Sequence, residues 1–373
     1  MSDAIWPSRY ELLDGLRGLA ALTVLLHHVG VGHAGHFAVM IFFVISGYCI
    51  TASAESCRRN GVGWRDFMSR RIRRIYPPYL LAMAFFALTR ALKFSMGGAN
   101  ELHRPLLTWI QNLTLTQWLS DLLHPVATPA NNPDLFVAAF WSLNYEEQFY
   151  LLMGLLLALA TRLRLPMIIN IVVLAAIGLA WNWLIPGNWI CGLCIEYWPH
   201  FALGACLFFV LSKSADRRVR VAFVCLVALL GLSCAARLVS WSGPLDDLRA
   251  MQELSLLSAA ALALFFIRPL SAAIAVSPLW QPIAALGTIS YSLYLIHQFN
   301  LNLAAAVARY CLPQAIPPGL MLAAVVAVHL MLASAFWYCC ERPFLRNRRQ
   351  SRGASGANSA ALELSLPQPP IER

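Results

Sequence analysis

Apolar residues in this chain are gathered into long, nearly unbroken blocks. They show neither the strict alternation of a half-buried strand nor the narrow stripe of a surface helix. The blocks stand near 13–31, 37–54, 76–94, 136–160, 165–185, 198–213, 221–238, 252–268, 283–303 and 318–338. At a helical rise of about 1.5 Å per residue, roughly 17–22 residues cross the hydrocarbon core of a bilayer. The pattern therefore predicts an all-α fold, a polytopic transmembrane helix bundle of about ten spanning helices. The polar stretches between blocks are too short for a second domain and no fixed-period repeat is present, so residues 1–345 read as one membrane domain. From 346 to 373 the chain turns to Arg, Ser, Gly, Ala and Pro without helical periodicity, which predicts a disordered cytoplasmic tail.

Composition agrees with lipid as the main solvent: the 373 residues are 59% hydrophobic and 12% charged, and mean hydropathy is +0.62, too few polar side chains to cover a soluble globule of this size. The first block carries Arg17 and the His27-His28 pair and lacks a small-residue cleavage site, so it reads as a retained anchor. A net charge of +10 raises the question of nucleic acid. The bases, however, sit in short loops between apolar blocks, so they report topology and no nucleic-acid partner is expected. With the N-terminus placed in the cytoplasm, 21 of the 28 Lys and Arg fall inside, six outside, and Arg17 within the first span. That asymmetry predicts both termini in the cytoplasm of a multi-pass membrane protein. Ten cysteines lie mostly inside apolar blocks as small hydrophobes. Cys191 and Cys194 form a CxxC in an outer loop, compatible with a disulfide. Without a second CxxC or a nearby His pair it does not match a zinc site, and no metal is expected.

Ionisable groups inside apolar helices are costly and point to function. Arg17 and His28 are eleven residues apart, which at about 100° per residue returns to within roughly 20° of one face, some 16 Å further along the axis. They either line one channel, or Arg17 snorkels to the surface beside Asp14 while the histidines mark the outer interface. Ser46-Gly47-Tyr48 supplies a small step where another helix can approach closely. Arg70, Arg71, Arg73 and Arg74 precede Tyr76-Pro77-Pro78 at a cytoplasmic helix entrance. Guanidinium groups bind phosphates bidentately, so the cluster suits a phosphorylated ligand; a topogenic anchor on anionic lipid is the alternative. Trp141-Ser142-Leu143-Asn144-Tyr145-Glu146-Glu147 places two carboxylates at a helix start. At least one of them should face a polar cavity, and Glu146 facing His28 would give a base with an orienting carboxylate. The alternative is an interfacial aromatic belt with solvated acids. Ser290 to His297 brings hydroxyls and a histidine into apolar sequence, Glu341-Arg342-Pro343 reads as an ion pair with a helix stop, and the loop near 95–135 as a shelf over the outer mouth.

In this order the segments resemble the acyltransferase 3 family of membrane O-acyltransferases, which act on envelope glycans. The resemblance covers about 8–345 and rests on the Arg17 to His28 spacing, SGY, RRIRRIYP, WSLxxEEQFY, SYSLYLIH and ERPF. It implies an acyl-CoA co-substrate in the cytoplasm, acetyl-CoA first, with no tightly bound cofactor. The implied acceptor is an extracytoplasmic glycan or lipid-linked sugar, with membrane lipids around the bundle. It also implies that Arg17, His28, Glu146, Arg71 and Arg74 are the functional positions. The expected mechanism has His28 either taking the proton of an acceptor hydroxyl or itself briefly carrying the acyl group outward, with Glu146 orienting the ring and Arg17 offsetting developing charge. Arg71 and Arg74, with Arg70 and Arg73, hold the CoA phosphates, and Asp14, Ser46, Tyr291 and His297 serve as substrate contacts or support. A proton-coupled transporter would use the same buried charges as a relay. A metal permease built on His27, His28, His33 and His36 is disfavoured, because that spacing gives no compact ligand set on one helix.

Overall fold

The computed structural model describes residues 10, 12–124, 132–163, 167–184, 192–211, 217–239, 245–298, 300–311 and 317–345. The expected tail after 345, and Cys191 of the CxxC, lie outside these. Among the described residues all regular structure is helical. The helices are α1 (Leu12–His28), α2 (Gly35–Arg59), α3 (Trp64–Ser95), α4 (Leu106–Thr114), α5 (Trp118–Leu123), α6 (Trp141–Leu163), α7 (Met167–Leu184), α8 (Trp198–Leu211), α9 (Arg217–Val239), α10 (Leu245–Ile267), α11 (Ser271–Ala275), α12 (Trp280–Ile296), α13 (Leu301–Cys311) and α14 (Pro318–Phe336). Four helical stretches, Gly35–Arg59, Trp64–Ser95, Ser255–Ala275 and Pro318–Leu345, are long and apolar enough to cross a membrane. The outward faces agree with that solvent: Leu151, Leu155, Val224, Leu232 and Phe266 are each more than half exposed, a belt that water would penalise and lipid would not.

Two of the expected boundaries move. The arginine cluster was expected ahead of a helix starting near 76, yet α3 already begins at Trp64 and runs through Pro77 and Pro78 for 32 residues. At about 1.5 Å per residue it exceeds the roughly 30 Å hydrocarbon core, so its first turns extend past it and carry the arginines at the boundary. The block near 283–303 divides into α12, ending at Ile296, and a separate α13.

We refer to the end of the bundle where α1 begins as the near end and the end where His28 lies as the far end. Two close crossings set the framework around the site. On α1 and α12, a Cβ added to Gly287 would lie 1.9 Å from the Asp14 carbonyl oxygen. On α2 and α8, a Cβ added to Gly204 would lie 1.8 Å from the Val44 oxygen, and one on Gly47 2.1 Å from the Phe201 oxygen. The Ser-Gly step therefore does admit a neighbouring backbone, as expected for small residues at a helix contact.

At the far end the long loop is a folded shelf. The Tyr79 hydroxyl donates to the Asn112 carbonyl, and the Asn112 side chain donates to the Asp134 carbonyl at 2.7 Å and accepts from the Phe136 amide at 3.1 Å. Asp121 is buried and accepts from Asn132 Nδ2 at 2.7 Å. Burial pushes the Asp121 carboxyl up to about 6, with a contribution from the neighbouring Asp134 carboxylate that the Asn132 bond partly offsets. A raised carboxyl favours the folded shelf while it is protonated. The contribution is complete below the ordinary value of 3.8 and is lost as pH rises through about 6. Protection of the α4 and α5 amides against hydrogen exchange, taken relative to the intrinsic rate at each pH, should therefore fall between about pH 4 and 7, and Asp121→Asn should flatten that dependence. An unchanged slope in the variant would remove Asp121 as its source.

Candidate active site

Helices α1, α2, α3, α6 and α12, with the turn that follows α14, enclose a cavity of about 270 Å³. Arg17 lines it from α1. Its Nη2 donates to the Cys49 sulfur at 3.4 Å, and its Nη1 lies 3.9 Å from Asp14 Oδ1. The guanidinium keeps the partner expected of a snorkelling arginine and lines the cavity, whereas His28 is not on its wall, so the two do not line one passage together.

The arginine cluster divides between the cavity and the outside of α3. Positions 71 and 74 lie three apart on one face of α3 and both line the cavity, while Arg70 and Arg73 are not on its wall. Arg73 is exposed and donates to Ser69 Oγ at 3.3 Å. Arg71 is 9% exposed and lies over the rings of Phe67 and Tyr150, at 5.6 and 5.8 Å from their centroids. Its Nε is buried without a hydrogen-bond partner among the described residues. Such a guanidinium is held by apolar and aromatic walls and keeps donor capacity for an anion.

The two carboxylates of α6 also divide. Glu146 lines the cavity and accepts from Ser46 Oγ at 2.7 Å and from the Tyr150 hydroxyl. Glu147 turns toward α3 and accepts from the Tyr76 hydroxyl. The expected pairing of Glu146 with His28 is corrected, because Glu146 is satisfied by Ser46 and Tyr150 at the cavity wall. His28 is held instead by its own helix and by a second histidine. Its Nδ1 lies 2.9 Å from the Val24 carbonyl oxygen, and its ring stands 4.8 Å from that of His297, edge to face. A carbonyl can only accept, so Nδ1 carries the hydrogen and the lone pair of the neutral ring is on Nε2. His297 repeats the arrangement with the Tyr294 carbonyl at 2.8 Å and is buried.

Between the cavity and these histidines stands a partition. Phe42, Ser142 and Tyr294 line the far end of the cavity, with the Phe42 and Tyr294 rings 5.9 Å apart. The Tyr294 hydroxyl lies 2.5 Å from Ser142 Oγ and donates to the Ala139 carbonyl. On its other side Tyr294 is 5.7 Å from the His297 ring. Tyr291 lines the same cavity and donates to the Ile75 carbonyl at 3.0 Å, tying α12 to α3.

Glu341 is the cavity residue that sequence reasoning missed. Expected as a surface ion pair with Arg342, it is 6% exposed, lines the cavity, and accepts from Ser292 Oγ at 2.6 Å. Arg342 lies instead over the Trp337 and Tyr338 rings, and the helix does not stop at Pro343 but continues to Leu345. A π-helical turn at Trp337–Glu341 inserts an extra residue, which rotates the following face by about 100°. His27, His33 and His36 do not gather: His27 Nδ1 lies 3.2 Å from the Gly32 carbonyl and His36 stacks on Trp141. Among the described residues no group of three or more His, Cys, Asp or Glu stands close enough to hold a metal ion.

Comparison with known proteins bears on what this arrangement does. A family profile described as an acyltransferase domain matches residues 10–340. The exopolysaccharide production protein ExoZ of Rhizobium meliloti is 28% identical over 356 residues, 90% of this chain and 97% of the relative. The O-acetyltransferase OatA of Staphylococcus aureus is 31% identical over 149 residues, 39% of this chain and 24% of the relative. An uncharacterised protein of Haemophilus influenzae is 35% identical over 126 residues, 32% of this chain and 48% of the relative. The chain thus spans about half the length of the Haemophilus relative and about a quarter of OatA. No solved structure matches it. The profile match runs from the start of α1 into the π-helical turn after α14, and with it come Arg17, Arg71, Arg74 and Glu146 of the cavity: the chain belongs to the acyltransferase 3 family.

Proposed function

We propose that this protein moves an acyl group, acetyl in the first instance, from cytoplasmic acyl-CoA to a hydroxyl of an extracytoplasmic glycan or lipid-linked sugar. The observation that carries the reading is one polar cavity walled by Arg17, Arg71 and Arg74, closed at its far end by Phe42 and Tyr294, with His28 just beyond. The near end is the cytoplasmic one, which the excess of Lys and Arg in the near-end loops supports, and the cytoplasmic membrane of a cell is the setting in which such a donor meets such an acceptor. The names of ExoZ and OatA, exopolysaccharide production and O-acetyl transfer, support a glycan acceptor.

In this reading Arg71 and Arg74 hold CoA phosphates and the thioester arm runs along the cavity toward the partition. An acceptor hydroxyl approaching from the far end gives its proton to His28 Nε2 as its oxygen attacks the thioester carbonyl. The carbon–sulfur bond breaks, the ester forms, and the proton passes to the departing CoA thiolate. Arg17 offsets the charge that develops on the donor side. His297 and the Val24 carbonyl fix the orientation of the His28 ring, the part once expected of Glu146. Glu146 instead holds Ser46 and Tyr150 in the cavity wall between the three arginines.

The test is mass spectrometry of envelope glycans from cells with and without the protein. It is paired with CoA release by the reconstituted protein in vesicles loaded with acceptor. Base-labile acetyl esters that disappear with the protein, and CoA release that requires acceptor, are expected. Counterflow of an unmodified solute with no dependence on acyl-CoA would overturn the reading in favour of a transporter.

A further inference from the structure

Two aromatic rings stand at the far end of the cavity. Phe42 and Tyr294 put their rings across it, 5.9 Å apart, and the two differ in how they are held. The Tyr294 hydroxyl is engaged on both sides, by Ser142 Oγ at 2.5 Å and by the Ala139 carbonyl, in a position where all three residues are buried. Rotating that ring would strand buried polar groups, which resists the motion strongly. Phe42 has only packing to hold it and is half-buried. Its loss would open the space of a phenyl ring at the end of a cavity of about 270 Å³.

A thioester drawn in by Arg71 and Arg74 presents its acyl chain to this wall. In that reading the acetyl methyl meets the two rings. Each added methylene must enter volume the two rings fill, and packed interiors reject added volume by straining rotamers and backbone. We infer that the Phe42–Tyr294 pair sets the acyl-chain length of the donor, admitting acetyl and excluding butyryl and longer chains, with Phe42 as the adjustable member. The inference rests on the acyl-CoA reading of the cavity.

The experiment measures kcat/KM for acetyl-, butyryl- and hexanoyl-CoA in the reconstituted full chain, for the native protein and for Phe42→Leu, Phe42→Ala and Tyr294→Phe. The readout is the ratio between chain lengths, which does not depend on how much protein inserts correctly. One excess methylene is worth roughly 10–200-fold in discrimination, so the native protein should prefer acetyl over butyryl by at least about 100-fold. Phe42→Ala should bring that ratio to within about 10-fold, with Phe42→Leu between. Tyr294→Phe should relax it less than Phe42→Ala, because the ring stays while its anchor is lost. A Phe42 series that keeps the native ratio overturns the inference while leaving acyl-CoA as donor. A native protein that turns over no acyl-CoA of any length overturns both.

Discussion

Changing Arg71 and Arg74 together to alanine should weaken acyl-CoA binding several-hundred-fold, whereas the same change at Arg70 and Arg73 should leave it within about twofold. Charge-assisted hydrogen bonds to phosphate contribute about 1.5–3 kcal/mol each where water is excluded. Arg71 meets that condition, being 9% exposed against Phe67 and Tyr150. Arg74 is exposed and should contribute less. A combined loss of about 3–4 kcal/mol is the several-hundred-fold expected. Lysine at both positions keeps the charge but not the planar fork, and should recover only part of the affinity. Titration calorimetry of the purified protein with acetyl-CoA makes the comparison. Equal effects from the two pairs, or none from either, would mean that the cluster only anchors the helix to anionic lipid.

His28→Ala is the second large effect, and its signature is a separation of binding from chemistry. Removing a general base typically costs about 10²–10⁴ in rate. His28 stands beyond Phe42 and Tyr294 and is not on the cavity wall, so acetyl-CoA affinity should remain near the native value while acetyl ester on the acceptor falls by that factor. Tests of membrane insertion accompany the assay. Full transfer by a correctly inserted variant would remove the imidazole from the mechanism. Loss of transfer together with loss of acetyl-CoA binding would place His28 on the donor side of the partition and contradict the geometry.

These two results bracket the partition: the arginines act on its near side and the imidazole on its far side. In the proposed reaction a wall between them would keep far-end water away from a thioester donor until an acceptor hydroxyl is in place.

The sequence by itself determined the helical, lipid-adapted class of the molecule and named several of the residues that line the cavity. Apolar blocks with basic loops dictate helices in lipid, and Arg17 in an apolar helix and the Glu146-Glu147 pair announce a polar cavity because lipid cannot solvate them. The division of the arginine cluster was not legible in helical period, which sets position 74 beside both 70 and 71; only the family resemblance singled out 71 and 74. Which pair turns inward depended on the face of α3 that packs against α6, where Phe67 and Met68 lie against Gly154. The relation of Glu146 to His28 was decided only in three dimensions. His28 ends α1 at the far end, whereas Glu146 lies five residues into α6 from Trp141, about 8 Å deeper, with Tyr294 and Phe42 between. Glu341 was hidden for a different reason. Its inward face comes from a π-helical turn, one residue of extra winding that no periodicity count anticipates, because the hydrogen-bond shift that creates it is set by packing rather than by local residue preference.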